Sequence, residues 1–162
     1  MKKKVLPVIV AILLILLIGG CALGKVLLDK YSYSKEEADW NEFYQVSEND
    51  RSAIILQNEM VEEQALIKDG VCYFDLATVH KYMNEVFYAD MTENLLLYAT
   101  PTEVIRTTFG ETAYTTTEGT QEAGYVISFA DGDNVYVAAD YVKLFTNYSY
   151  ECYDRHVQVN TE

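Results

Sequence analysis

The distribution of apolar and polar residues divides the chain into an N-terminal apolar run and a long region of short, mixed segments. Three lysines follow Met1, and the next twenty positions, 5–24, carry no charge. Twenty residues at about 1.5 Å each span a hydrocarbon core of about 30 Å. The lysines favour the cytoplasmic side. This pattern predicts a cytoplasmic n-region at 1–4 and a transmembrane anchor at 5–24, with the rest of the chain outside the cell membrane.

Two alternatives to an uncleaved anchor stay open. The run Ile18-Gly19-Gly20-Cys21 is similar to a lipobox, in which Cys21 would be lipidated and become the first residue of a mature lipoprotein. A cleavable secretion signal is the other alternative. The absence of an Ala-x-Ala site and the apolar residues after Cys21 favour a retained anchor. All three alternatives place the domain outside the membrane.

A helical connector is predicted between the anchor and the main domain, over 25–50. Ser34 and Glu37 have the spacing of a capping box, which predicts a helix from about Lys35 to Gln45. Trp40, Phe43 and Tyr44 then share one face, which we expect to pack on the domain. An exposed sugar-binding platform on Trp40 is the alternative.

An internal repeat is the most informative feature of the remaining chain, 51–162. Residues 69–90 match residues 132–154 at an offset of 63, with one inserted residue near the end that aligns Asp90 with Asp154. The offset aligns Tyr73 with Tyr136, Phe74 with Val137, Val79 with Val142, Tyr82 with Phe145, Asn84 with Asn147 and Phe87 with Tyr150. In each copy a turn with an Asp-Gly pair precedes a short strand, a helix and a second strand. Asn84 and Asn147 are predicted to end the helices in a left-handed conformation.

Further short strands are predicted around the two copies, and the polar stretch 117–122 is expected to be a turn. Short strands with two short helices predict an α+β class: a transmembrane helix followed by a small, mainly antiparallel domain with two strand-helix-strand repeats.

Charge narrows the range of partners. The chain has a net charge of −13, and all of its acidic residues follow Lys25. A strongly acidic domain is a poor ligand for nucleic acid, so we expect no nucleic-acid partner. Solubility is a sufficient explanation of the acidic surface.

Residues of the types that commonly act in catalysis or bind metals are few in this sequence. His80 is expected on a polar helix face, and His156 has no neighbour at metal-ligand spacing. The run from Asp131 to Asn134 fits a hairpin turn better than a calcium loop, because later ligand positions are missing. Cys72 and Cys152 are a candidate disulfide, although buried free cysteines are the favoured alternative. We therefore expect no catalytic residue, metal or cofactor.

The doubled pattern of Val-Tyr-Val strand, helix, Asn-x-x-Tyr and a strand ending near aspartate resembles the copper-amine-oxidase N-terminal-like domain of bacterial surface proteins. The closer resemblance, most evident in the stretches 66–90 and 92–101, is to the anchored N-terminal region of chitinase-like family 18 glycoside hydrolases of Firmicutes. The catalytic Asp-x-x-Asp-x-Asp-x-Glu motif of that family is missing, and so are the three histidines of a copper site.

The resemblance implies a non-catalytic, membrane-anchored extracytoplasmic domain that positions a downstream enzyme acting on cell wall or glycan. Such a role predicts that the reading frame continues past Glu162. The alternative is a self-contained surface lipoprotein or membrane protein that binds glycan or peptidoglycan. Hydrolysis by this segment itself is the least favoured function.

Overall fold

The structure is a computed structural model that describes residues 24–25, 27–28, 30–31 and 39–161. The chain divides into two units, 1–38 and 39–162, which we describe separately. In the first unit, the described residues are helical. Apart from Gly24, the predicted anchor at 5–24, with Cys21, lies outside the described residues, as does the capping box at Ser34. Within the described residues, no helix combines the length and apolar composition that crossing a membrane requires.

The second unit consists of short strands with three helices among its described residues. The helices are α1 (Trp40–Tyr44), α2 (Leu76–Tyr82) and α3 (Ala139–Lys143). The strands are β1 (Arg51–Leu56), β2 (Glu59–Lys68), β3 (Val71–Asp75), β4 (Phe87–Asp90), β5 (Leu95–Ala99), β6 (Val104–Thr108), β7 (Ala113–Thr116), β8 (Gly119–Glu122), β9 (Ser128–Asp131), β10 (Asn134–Ala138), β11 (Tyr148–Cys152) and β12 (His156–Thr161).

The prediction of an α+β class is wrong, because the protein is mostly β. Strands contain 48% of the described residues and helices 18%. They form a seven-stranded sheet in the order β11-β12-β1-β2-β3-β10-β9 and a five-stranded sheet in the order β4-β5-β6-β7-β8. The helices are too short to form a layer of their own, and the stretch expected to be a polar turn contains β8. The β1–β12 pair is parallel and the other described pairs are antiparallel.

The Asp-Gly turns form where the sequence predicts them. Asp69 and Gly70 both have positive φ, 52° and 79°, and connect β2 to β3 with Lys68 opposite Val71. Gly132, at φ 60°, lies in the turn between β9 and β10, where Asn134 pairs with Asp131. The hairpin explanation of 131–134 is therefore confirmed.

The two copies of the repeat are neighbours at their first strands and separate at their second. β3 pairs antiparallel with β10, and α2 and α3 follow these strands directly. The second strand of the first copy, β4, belongs to the five-stranded sheet, whereas β11 is an edge strand of the seven-stranded sheet. The copies are therefore related locally but not over their full length.

The predicted left-handed helix ends at Asn84 and Asn147 are wrong, because neither residue has positive φ. The Asn84 side chain instead accepts a hydrogen bond from Val86 N and donates one to Phe145 O at 3.1 Å. Asn84 thus connects the end of the first copy's helix to the second copy.

One apolar core is shared by both sheets and by α2 and α3. Its largest fully buried side chains include Tyr141, Phe74, Phe87, Ile54, Leu96 and Ile127. Phe87 and Leu96 come from the five-stranded sheet, and Phe74 comes from the other. Burial of such side chains stabilises a fold by about 1.5–3 kcal/mol each.

Candidate functional site

The helix α1 forms one wall of an exposed aromatic cleft. Asp39 accepts hydrogen bonds from Asn41 N and Glu42 N at 3.0 and 3.3 Å and caps the helix, which begins at Trp40. Positions 35–38 of the predicted connector helix lie outside the described residues. Gln45, which has φ 55°, caps the helix after its last residue Tyr44, and Gln64 of β2 donates to the Gln45 carbonyl at 3.0 Å.

Val46, which follows the cap residue Gln45, fixes the helix to the domain. Val46 is 2% exposed and donates from its backbone N–H to Asn41 O at 2.9 Å. None of the five residues of α1 is itself buried. The helix is therefore held by its C-terminal end, and its aromatic side chains stay accessible.

A tight turn between β11 and β12 forms the other wall of the cleft. Tyr153 N donates to His156 O at 2.8 Å and closes the turn over Asp154 and Arg155. Ala53 N of β1 donates to Arg155 O at 3.0 Å, which fixes the turn against the sheet. Because Tyr153 and His156 face each other across the turn, their rings stack at 4.5 Å with an interplanar angle of 12°.

Four rings from the two walls form a continuous column, which we call the ring column. His156 stacks on Tyr153 and also on Tyr44, at 4.7 Å and 26°. Tyr44 in turn stacks on Trp40 at 6.0 Å and 24°. Phe43 meets Trp40 edge-on at 6.0 Å, outside the column.

The ring column lines a cleft of about 270 Å³ together with Asp154 and Arg155. Trp40 and Tyr153, at the two ends of the column, are 54% and 50% exposed. Large aromatic side chains left in solvent next to an arginine are typical of binding surfaces. The cleft is thus the best candidate for a binding site in the described part of the protein.

The sequence predicted the helix face of Trp40, Phe43 and Tyr44 but assigned it to packing, which is wrong. Trp40 and Phe43 are exposed, and Tyr44 alone of the three contacts His156. The role of His156 was missed because its stacking partner Tyr44 is distant in sequence. The Tyr-x-x-His spacing across a turn is the local signal that indicates the Tyr153–His156 pair.

The other candidate residues lie apart from the cleft. His80 is exposed, as expected, and its ring N–H donates to Phe87 O. Cys72 is buried and Cys152 is exposed, and both are free thiols. In the described residues, no group of three or more His, Cys, Asp or Glu side chains is arranged to hold a metal ion.

A second cluster of charged side chains joins α2 to β2. Lys81 Nζ donates to Glu63 Oε1 at 2.7 Å, and Tyr82 OH donates to Glu63 Oε2 at 2.9 Å. The hydrogen bond from Lys81 lowers the pKa of Glu63 and raises that of Lys81. This arrangement satisfies both carboxylate oxygens, so it fits a structural role.

Comparisons with protein families, curated proteins and solved structures find no match to this chain. The resemblance to the family 18 N-terminal region stays a prediction.

Proposed function

We propose that this protein is a non-catalytic extracytoplasmic module that binds cell-wall glycan through the aromatic cleft. The observation behind the proposal is the ring column, with Trp40 and Tyr153 exposed at its ends. Tyrosine and tryptophan offer a large apolar face and a polar edge. Sugar rings have the matching combination, an apolar face of C–H groups and a rim of hydroxyls.

The charges around the cleft favour a glycan that carries carboxylates. The chain as a whole has a net charge of −13, yet the cleft lining is balanced, because Arg155 lies there beside Asp154. An arginine can bind a carboxylate through two parallel hydrogen bonds. Peptidoglycan combines sugar rings with carboxylates, so it fits this surface better than a neutral polymer such as chitin.

The N-terminal segment is the basis for proposing that the domain lies outside the cell membrane. Positions 5–24 are uncharged and follow three lysines, a composition that favours retention at the membrane with the domain outside. Lipidation at Cys21 would give the same location. In either case the domain would lie on the cell-wall side of the membrane.

A sedimentation assay tests the glycan-binding proposal. Full-length protein in detergent is mixed with insoluble peptidoglycan or with chitin, and the bound fraction is measured. We expect retention on peptidoglycan, with a loss of at least tenfold in affinity for Trp40→Ala and Tyr153→Ala.

The matched control is Tyr88→Ala, because Tyr88 is 58% exposed and lies on β4 of the other sheet. It should bind like the unsubstituted protein. No retention on either polymer, or equal loss in Tyr88→Ala, would contradict the proposal.

A positioning role for a downstream wall-active enzyme is the second candidate. It is favoured by the stretches 66–90 and 92–101, which resemble the N-terminal region of family 18 glycoside hydrolases. This role requires that the coding sequence continue past Glu162 into a catalytic domain. Sequencing of the gene tests it, and a stop codon directly after Glu162 would contradict it.

A further inference from the structure

The two described cysteines lie on strands that are far apart in the order of their sheet. Cys72 belongs to β3 and Cys152 is the last residue of β11, and three strands, β12, β1 and β2, lie between them. In a flat sheet, four strand spacings would separate them by about 19 Å. The two residues would then be unable to interact.

Curvature of the sheet brings β11 across the core to β3. The rings of Phe74 and Tyr150 lie 6.3 Å apart with an interplanar angle of 78°. At the other end of β11, Tyr148 OH donates a hydrogen bond to Tyr82 O, at the end of α2. Strand β11 therefore crosses the inner face of β3 and α2, although neither is its partner in the sheet.

The alternation of side chains along strands then aligns the cysteines. Residues two apart on a strand point to the same face. Cys72 therefore shares the face of Phe74, and Cys152 shares the face of Tyr150. Because Phe74 and Tyr150 already meet, the next pair along the crossing is Cys72 with Cys152. The two thiols are near enough for each to shift the pKa of the other, which agrees with this geometry.

We propose that Cys72 and Cys152 are a disulfide site, and that their oxidation joins β11 to β3 across the core. The oxidant is a small-molecule or protein disulfide. The Cys152 thiolate attacks one sulfur of that disulfide and releases the other half as a thiol. The Cys72 thiolate then attacks the Cys152 sulfur of the mixed disulfide and releases the second half. Two thiols are oxidised, and one external disulfide is reduced to two thiols.

The environments of the two sulfurs fit this order of attack. Cys152 is exposed, whereas Cys72 is 4% exposed, so an external disulfide reaches Cys152 first. Interaction with the neighbouring Cys72 lowers the pKa of the Cys152 thiol, which favours its reactive thiolate. Interaction with Cys152, together with burial, raises the pKa of Cys72. Cys72 therefore reacts second, as the resolving thiol.

A bond at this place would stabilise an otherwise weakly held part of the sheet. β11 is an edge strand and pairs only with β12 in the described sheet. The bond would close a loop of roughly 80 residues, and long loops lose much unfolded-state entropy when they are closed. For a domain of this size, the expected rise in melting temperature is on the order of 10 °C.

The test uses full-length protein in detergent, equilibrated with oxidised and reduced glutathione. Free thiols are alkylated under denaturing conditions, and peptides are mapped by mass spectrometry without reductant. We expect a linked peptide pair containing Cys72 and Cys152, lighter by two hydrogen atoms than the two thiol peptides. Full alkylation of both residues, or linkage of either to Cys21, would overturn the proposal.

A thermal measurement distinguishes a core-spanning bond from an incidental one. Reductant should lower the melting temperature of the unsubstituted protein and leave that of Cys152→Ser unchanged. This variant leaves the buried Cys72 in place, so its folding is expected to be intact. An equal response of both proteins to reductant would also overturn the proposal.

Discussion

Phe74 of β3 lies directly opposite Val137 of β10, and these are the two residues that the repeat offset of 63 aligns. On either side, Tyr73 pairs with Ala138 and Asp75 pairs with Tyr136. The offset aligns Tyr73 with Tyr136 and Asp75 with Ala138, so each residue pairs with the equivalent of the residue on the other side of Phe74. A local two-fold axis therefore passes between Phe74 and Val137, and the repeat in the sequence corresponds to this symmetry.

Equivalent core positions in the two copies should contribute similarly to stability. Val79 in α2 and Val142 in α3 are aligned by the offset and are 0% and 2% exposed. Replacing either with alanine removes two buried methyl groups and leaves a cavity. We expect Val79→Ala and Val142→Ala each to lower the free energy of unfolding by about 1–3 kcal/mol. Denaturant titration followed by circular dichroism measures this change.

Val104→Ala is the control for this pair, because Val104 is 53% exposed on β6. Its free energy of unfolding should change by no more than about 0.5 kcal/mol. A large loss in one of the two core variants and none in the other would show that the local symmetry does not extend to the helices.

Local chemistry explains which parts of this fold could be predicted. The turn at Asp69-Gly70 was predictable because its positive φ values depend on those two residues alone. The strand β8 was not, because all four of its residues are exposed and no apolar alternation marks it. The α+β class prediction is wrong for the same reason, because the apolar pattern marks the two repeat helices clearly and does not mark a polar strand such as β8.

Long-range geometry explains why most of the candidate site could not be predicted. The aromatic residues of α1 were visible as one helix face. The contact of Tyr44 with His156 depends on how Val46 and Gln64 hold the helix against β2 and on the turn after β11. The Cys72–Cys152 contact depends on sheet curvature. No spacing in the sequence reports either relationship.

The proposed carboxylate recognition predicts that Arg155 distinguishes peptidoglycan from chitin. Arg155→Gln should weaken binding to peptidoglycan by about tenfold, since a paired charge contributes about 1.5–3 kcal/mol, and leave any binding to the uncharged polymer unchanged. Arg106→Gln removes the same charge from an exposed position on β6 and is the matched control. The sedimentation assay measures both. Equal loss in the two variants would indicate a non-specific effect of net charge.

Buried tyrosines should make the fold sensitive to alkali. Burial, followed by the nearby Asp140, raises the pKa of Tyr125 to about 12, and burial also raises the pKa values of Tyr141 and Tyr150. A group whose pKa is higher in the folded state stabilises that state fully below its unfolded pKa of about 10. This stabilisation is lost as the pH rises from about 10 toward 12.

Ultraviolet absorbance of tyrosinate and circular dichroism, recorded together against pH, test this expectation. The absorbance should rise in two steps, and the second step should coincide with unfolding. Tyr141→Phe removes one buried ionisable group and should move the unfolding midpoint to higher pH. Tyr88→Phe, at an exposed position, should leave it unchanged. A single absorbance step that precedes unfolding would contradict the assignment.

The Glu63–Lys81 ion pair should make stability depend on pH at the acidic end. The hydrogen bond from Lys81 lowers the pKa of Glu63, so the folded state favours the charged carboxylate. The stabilisation is therefore present above the unfolded pKa of about 4.3 and is lost as the pH falls through the lower, folded pKa. Glu63→Gln keeps an acceptor for Tyr82 and removes the charge. We expect the variant to be slightly less stable than the unsubstituted protein at pH 7, and the difference to vanish toward pH 3, when both are compared by urea unfolding.

Glu59→Gln, at an exposed position on the same strand, controls for the loss of one negative charge. A difference between Glu63→Gln and the unsubstituted protein that stays constant from pH 7 to pH 3 would mean that packing, and not the ion pair, explains the role of Glu63.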